Sequence, residues 1–392
     1  MPDMYGRDHA HTVQHGIRCV KLDAVTVLTV MGMATQRLGL GATYSTTYYE
    51  PFHVARLFAT LDLMTEGRSA WNVVTSLNDG EAQNMGRDET LEHDLRYDRA
   101  DEFMAVVLGH WDAWEDDAIV QDKASGLFAH PDKVHRLDHQ GRFYRSRGPF
   151  TVPRSAQGHP VIIQAGQSGR GKNFGAQWGE VIFVVYPNIE IGKRDYADFK
   201  ATVAHCGRDP EHIKITHLVN TVAAATQAEA EDKWAELANL PLEIDALSLL
   251  SEALNFDFSR KAMDEAFTDR ELAEMSGLQG ICDRVLRVKK NPTVRDFIEI
   301  SGRGRVHDPI VGGPKQVADR LEQWFVERAC DGFVIAASHV PGTYDDFVRF
   351  VVPELQRRGL FRKAYSGTTL RENLSIPVPP VAAWRSRHSP AG

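Results

Sequence analysis

Residues 161–173 read VIIQAGQSGRGKN, a short apolar run opening into a glycine-rich turn and then a helix. Ala165, Gly166, Gln167 and Ser168 fall in the turn. Small residues there let backbone N–H groups approach an anion, the helix dipole favours phosphate, and the Ser168 hydroxyl adds a donor. From Gly166 the spelling is also G-x-x-x-x-G-K, but Asn173 stands where a P-loop needs the Ser or Thr hydroxyl that holds magnesium. The bland alternative is a βα turn with no ligand, since tight turns need glycine in any case.

The segment LEHDLRYDRADEF places His93 and Tyr97 at i, i+4 near the positive end of a helix, where a phosphate would find two donors. The same spacing also suits ordinary packing. In SAWNVVTSLN a strand ends at Thr75 and Ser76, putting hydroxyls at its C-terminal end. Asn72 within it must find hydrogen-bond partners if buried. LGLGATYSTTYYEP does the same with Thr43 and Ser45. His9, His11 and His15 form a histidine-rich patch that no Cys or carboxylate spacing completes into a zinc site, and Glu115, Asp116 and Asp117 read as a wet loop. We assign no metal ligands.

These residues need a frame. Strands are expected at 38–45, 69–75, 161–165, 181–185, 213–222 and 332–336, with helices at 23–37, 51–64, 94–114, 228–238, 314–328 and 344–359. That alternation is the signature of right-handed βα units in a parallel sheet. An open doubly wound sheet and a closed (β/α)8 barrel both use it. About six strands are legible, fewer than the barrel requires. The first periodic element is already a helix, so a barrel built on this reading lacks its first two strands. Segments 115–160, with a hairpin near LDHQGRFYRSRGPF, and 240–309 interrupt the alternation. We expect one domain over 1–374 carrying these two insertions, and a Pro- and Arg-rich arm at 375–392.

The chain has 392 residues, 43% of them hydrophobic, and a net charge of -8. Such a balance argues against a nucleic-acid footprint and favours small-molecule chemistry. Cys19, Cys206, Cys282 and Cys330 are scattered, which fits reduced thiols in a cytoplasmic protein. No stretch approaches a membrane span and no signal-peptide pattern opens the chain.

Taken together, TLDLMTEGRSAWNVVTS, EHDLRYDRADEF, DKVHRLDHQGRFYRSRGPF, PVIIQAGQSGRGKNFGAQWGE and VVPELQRRGLFR resemble the bacterial-luciferase-like flavin monooxygenases. The branch is that of nitrilotriacetate, dibenzothiophene-sulfone, dimethyl-sulfide and long-chain alkane monooxygenases, and the resemblance runs in register from about Asp23 to the last helix. It implies a (β/α)8 TIM barrel with insertions, FMN at the C-terminal mouth, and FMNH2 supplied by a separate NAD(P)H:flavin reductase. It also implies that Ala165, Gly166, Gln167 and Ser168 wrap the FMN phosphate, that His93 and Tyr97 meet it from the long helix, and that Ser76 and Thr43 touch flavin. His93 is the candidate catalytic residue as well as a ligand. The family further suggests a homodimer or homotetramer.

Leu77 departs from the pattern, because the alkane-oxidising relatives carry a histidine there. The substrate class therefore stays open among sulfur compounds, aminopolycarboxylates, alkanes and other xenobiotics. A catalytically inactive flavin-binding paralogue, an ATP-binding P-loop protein and a deazaflavin-dependent dehydrogenase are the competing functions.

Overall fold

A computed structural model describes residues 10–17, 19–166, 169–301 and 309–387. Its frame is a parallel sheet of strands β1 (Leu40–Ser45), β2 (Ser69–Val74), β3 (Val161–Gln164), β4 (Val181–Val184), β5 (Lys214–Ala223), β6 (Ile310–Gly312) and β7 (Gly332–Ala336). They pair in the order β1-β2-β3-β4-β5, with β7 on Thr216–Asn220 and β6 on Thr221–Ala223 of the long β5. Helix α1 (Ala24–Ala34) precedes β1, and crossovers run through helices α2 (Pro51–Met64), α3 (His93–Trp111), α4 (Gly169–Trp178), α5 (Ile189–His205), α6 (Gln227–Ala238) and α7 (Pro314–Val326). The six strands read from the apolar runs are all present, and β6 is additional. Parallel strands joined by helical crossovers are the wall of a (β/α) barrel. Among the described residues β1 pairs only with β2 and β7 only with β5, so the wall is an arc with two edges.

The pleat sorts each strand between two environments. On β2, Trp71 and Val73 face the helices and are buried, whereas Asn72 faces the inside of the arc. Trp71 stacks on Phe58 of α2 with ring centroids 5.6 Å apart and meets Phe103 and Trp111 of α3 at 6.0 and 6.3 Å. Its indole N–H donates to the Tyr44 carbonyl at 3.1 Å, so no polar group is stranded. On α3 the buried face is Ala100, Phe103, Met104, Val107 and Trp111, the i, i+3, i+4 stripe of a helix lying on a sheet. Burying side chains of this size stabilises by roughly 1.5–3 kcal/mol each. That packing fixes the height at which the start of α3 meets the mouth.

Segment 115–160 carries two small hairpins. The second, His139–Gln140 with Arg145–Ser146, is held to α3 by Glu102, which accepts from the N–H groups of Phe143 and Tyr144 at 2.9 and 2.8 Å. Segment 240–309 builds its own core, in which Phe256, Phe258, Phe267 and Phe297 meet edge to face at 5.1–5.7 Å. At the N-terminal ends of the strands, Arg371 is fully buried. It forms a two-pronged ion pair with Glu180 and donates to the carbonyls of Gln157 and His159, both at 3.1 Å. Beyond it, Ile376 is buried and Trp384 packs against the α3 side of the core.

Candidate active site

β3 ends at Gln164, and the chain turns through Ala165 and Gly166 before α4 begins at Gly169. Gln167 and Ser168 lie outside the described residues. The Gln164 carboxamide oxygen accepts the Gly166 N–H at 2.6 Å, which pins the turn to its own strand. Gly166 and Gly171 approach backbone to backbone. A methyl group on Gly166 would lie 2.5 Å from the Gly171 carbonyl carbon and 2.8 Å from its Cα, and one on Gly171 would lie 2.6 Å from the Tyr97 hydroxyl. The two glycines thus let the first turn of α4 fold beneath the Tyr97 hydroxyl. Lys172 does not join this turn. It reaches across to Asp198 on α5, so the lysine a P-loop would aim at phosphate is spent elsewhere.

The start of α3 forms the facing side. Glu92 caps the helix by accepting from the N–H groups of Asp94 and Leu95 at 2.9 and 2.8 Å. The rings of His93 and Tyr97 lie 5.1 Å apart on one face, as the i, i+4 spacing requires. His93 is exposed, and its Nδ1 is 2.8 Å from Asp94. Tyr97 is half-buried against Phe174 of α4 at 5.6 Å, with the Arg170 guanidinium 5.8 Å over its ring. Burial pushes its phenol up, against the opposing pull of a hydrogen bond with Thr75 and of the Arg96 and Arg170 charges, so it stays a neutral donor at neutral pH.

Between these two helices lies the end of β2. Ser76 has φ 54, a left-handed conformation unusual for a residue with a side chain. Its hydroxyl donates to Ser45 Oγ at 2.8 Å, and its carbonyl takes a hydrogen bond from the buried Arg96 of α3. Strain held by a buried arginine at a strand end marks a position that its surroundings over-determine. Deeper on the wall, Thr43 and Asn72 are register partners, and Asn72 Nδ2 donates to Thr43 Oγ1 at 2.9 Å. The Asn72 carboxamide oxygen is buried without a partner among the described residues.

Of the sequence-selected residues, Tyr97, His93, Ala165, Gly166 and Ser76 therefore converge on the C-terminal mouth over β2 and β3. Thr43 sits lower on β1, toward the inside of the arc. Arg96 was not anticipated, because an arginine within a charged helical segment reads as solvated. Glu115, Asp116 and Asp117 pair with His135, Arg154 and Lys133, and among the described residues no three His, Cys, Asp or Glu side chains gather as for a metal. A crevice lined by Leu108, Ile162, Trp178 and Trp384 lies at the opposite end of the strands and holds none of these residues.

Chemically, the mouth offers a close-packed backbone turn at the head of a helix, a neutral phenol above it and an imidazole one turn away. This combination can hold a phosphate. Comparison with known proteins agrees in kind. Residues 4–332 match the family model described as luciferase-like monooxygenase. The chain is 43% identical over 373 residues to dibenzothiophene-sulfone monooxygenase of Rhodococcus erythropolis, covering 93% of this chain and 81% of that one. It is 42% identical over 361 residues to nitrilotriacetate monooxygenase component A of Aminobacter aminovorans, covering 91% and 80%. The crystal structure of a riboflavin lyase with modified FMN and riboflavin superposes with a TM-score of 0.88 at 31% identity, covering 99% of this chain and 86% of that one.

Proposed function

The chain belongs to the luciferase-like monooxygenase family, a family of flavin-dependent oxygenases, and from that premise we propose that it takes FMN in reduced form from a separate NAD(P)H:flavin reductase and oxygenates a small organic substrate. The observation that carries this reading is the Gly166–Gly171 cradle roofed by the Tyr97 hydroxyl. The nitrilotriacetate relative is itself named as one component of its system. A homodimer or homotetramer and a cytoplasmic location complete the proposal. No described helix is long and apolar enough to cross a membrane.

When bound, reduced FMN supplies the electrons that activate O2, so that one oxygen atom enters the substrate and the other leaves as water. The protein's residues supply position and shelter. Ala165, Gly166, Gln167 and Ser168 would wrap the phosphate, with the Tyr97 phenol donating to it. Ser76 and Thr43 would border the ring on the β2 and β1 sides. In His93, the Asp94 carboxylate engages Nδ1, which leaves Nε2 as the atom free to hold a proton or to bond the cofactor. We assign His93 to binding first and to proton delivery second.

Two expected results follow from this assignment. Tyr97→Phe keeps the ring packed on Phe174 and removes only the hydroxyl. FMNH2 affinity should fall by about tenfold, the worth of one charge-assisted hydrogen bond of roughly 1.5 kcal/mol. Stopped-flow or equilibrium titration reads it, and unchanged affinity would remove Tyr97 from the site. For His93→Gln, FMNH2 affinity should drop more than turnover at saturating FMNH2. A variant that binds normally and turns over slowly would instead make His93 a proton carrier.

The reading as a whole is tested by oxygen uptake with a flavin reductase, NADH and FMN, across a panel of uncharged sulfides and sulfones and of polycarboxylates. The two relatives named above act on an uncharged sulfone and on a tricarboxylate, so both classes belong in the panel. Substrate-dependent uptake and a product gaining one oxygen atom support the proposal. A flavin-loaded protein inert to every member of both classes would speak against it.

A further inference from the structure

The segment between β2 and α3 carries a second feature at the mouth, on the side away from the phosphate cradle. After a short helix, Asp79–Asn84, the chain turns at Gly86 with φ 75, and the Arg87 N–H donates to the Ala82 carbonyl at 3.0 Å. The Arg87 guanidinium lies 5.4 Å from the centroid of the Tyr48 ring, and its Nη2 donates to the Thr47 carbonyl at 3.4 Å. Arg87 Nη1 and the Tyr48 hydroxyl are both buried, and neither has a hydrogen-bond partner among the described residues. The Thr47 hydroxyl in turn donates to the Thr75 carbonyl at 2.5 Å, and Thr75 is hydrogen-bonded to Tyr97. Arg87 is thus linked through Thr47 and Thr75 to the roof of the cradle.

Arg87 forms no ion pair with any described carboxylate. Two acids of the same segment are engaged elsewhere: Asp79 accepts from the Thr90 N–H at 2.9 Å and from Asn255 Nδ2 at 2.7 Å, and Glu92 caps α3. Asn255 belongs to segment 240–309, so a second part of the chain holds the Arg87 segment in place. A guanidinium N–H and a phenol O–H left buried without acceptors are each costly, and an anionic oxygen is a strong acceptor for either. Arginine's planar fork suits a carboxylate or sulfonate. The phosphate of FMN is not the candidate, because its proposed cradle follows β3, whereas Tyr48 follows β1. Two strand spacings, about 10 Å, separate them.

We propose that Arg87 and Tyr48 form a substrate-recognition subsite that takes the carboxylate or sulfonate of a small organic anion. The inference rests on the flavin reading above and narrows its substrate class from neutral or anionic to anionic.

The test uses the FMN-loaded protein and follows the absorbance difference spectrum of bound flavin during titration. The probes are benzoate and benzenesulfonate, each against an uncharged analogue, benzamide and methyl phenyl sulfone. Saturable shifts with the anions at concentrations at least tenfold lower than with the neutral partners support the subsite. Arg87→Met should erase that preference and Tyr48→Phe should weaken it, with FMN affinity unchanged within twofold in both. Equal response to anions and neutral analogues in the unaltered protein overturns the inference, whether or not the variants fold. So does a tenfold loss of FMN affinity in Arg87→Met, which would assign the arginine to the cofactor. Failure of the unaltered, folded protein to take FMN at all would overturn the flavin reading and this inference with it.

Discussion

Replacing Gly166 with alanine should weaken FMNH2 binding by about one to two orders of magnitude while the protein stays folded. The new methyl group meets backbone, not a side chain that can swing away. It would lie 2.5 Å from the Gly171 carbonyl carbon and 2.8 Å from its Cα. Relief requires the turn and the first turn of α4 to separate, and overpacking of this kind costs about 1–3 kcal/mol. Separation also pulls Gly171 from under the Tyr97 hydroxyl and strains the 2.6 Å bond from the Gly166 N–H to Gln164. The damage therefore falls on the cradle. Gly280→Ala is the matched control, since a methyl there meets nothing within 4 Å and lies in the helix Gln279–Val288. FMNH2 titrations of both variants, with a urea midpoint for each, separate loss of the site from loss of the fold. Normal affinity in Gly166→Ala would mean that the cradle is not the phosphate site.

Arg371→Met should destabilise the protein by about 3–5 kcal/mol, because it strands a buried carboxylate. Burial alone would push the Glu180 carboxyl up. The Arg371 charge and hydrogen bonds, with the Ile162 N–H, outweigh burial and hold it down at about 2, below its ordinary 4.5. A carboxyl depressed on folding contributes stability that is fully present above its ordinary value and lost as pH falls from there through about 2. Urea unfolding at neutral pH should show the large deficit. Toward pH 3 the deficit should shrink, as the pair in the unaltered protein begins to lose its charge and the orphaned Glu180 of the variant is already protonated. Arg371→Met combined with Glu180→Gln should recover part of the loss. A single variant as stable as the parent at neutral pH would show that this pair does not anchor the segment after β7 to the bottom of the barrel wall.

The six main strands were legible because each is a short run of apolar and β-branched residues bounded by turn formers, and their crossover helices carry a clean buried stripe. Strand β6 was not, since three residues, Ile310–Gly312, have no period of their own and exist only because β5 extends to Ala223 to receive them. At the mouth, the glycine-rich turn and the His93–Tyr97 pair could be read locally as anion-binding or as inert. What joins them, the Tyr97 hydroxyl over Gly171, is a contact between segments far apart in sequence. Arg96, Arg87 and Arg371 were illegible for a related reason. A buried arginine is defined by the carbonyl, ring or carboxylate it reaches, and those partners lie on other elements. Pro- and Arg-rich composition likewise gives no hint that Ile376 is buried or that the Pro379 carbonyl receives a hydrogen bond from Arg154 at 2.7 Å.

The central claim is that the mouth over β2 and β3 holds reduced FMN. Anaerobic titration of the purified chain with FMNH2, with magnesium ATP run in parallel, tests it most directly. Saturable FMNH2 binding at micromolar concentration or tighter, weakened in Gly166→Ala and absent with ATP, is the predicted result. A chain that is folded by its urea transition yet takes up no FMNH2 would contradict the account.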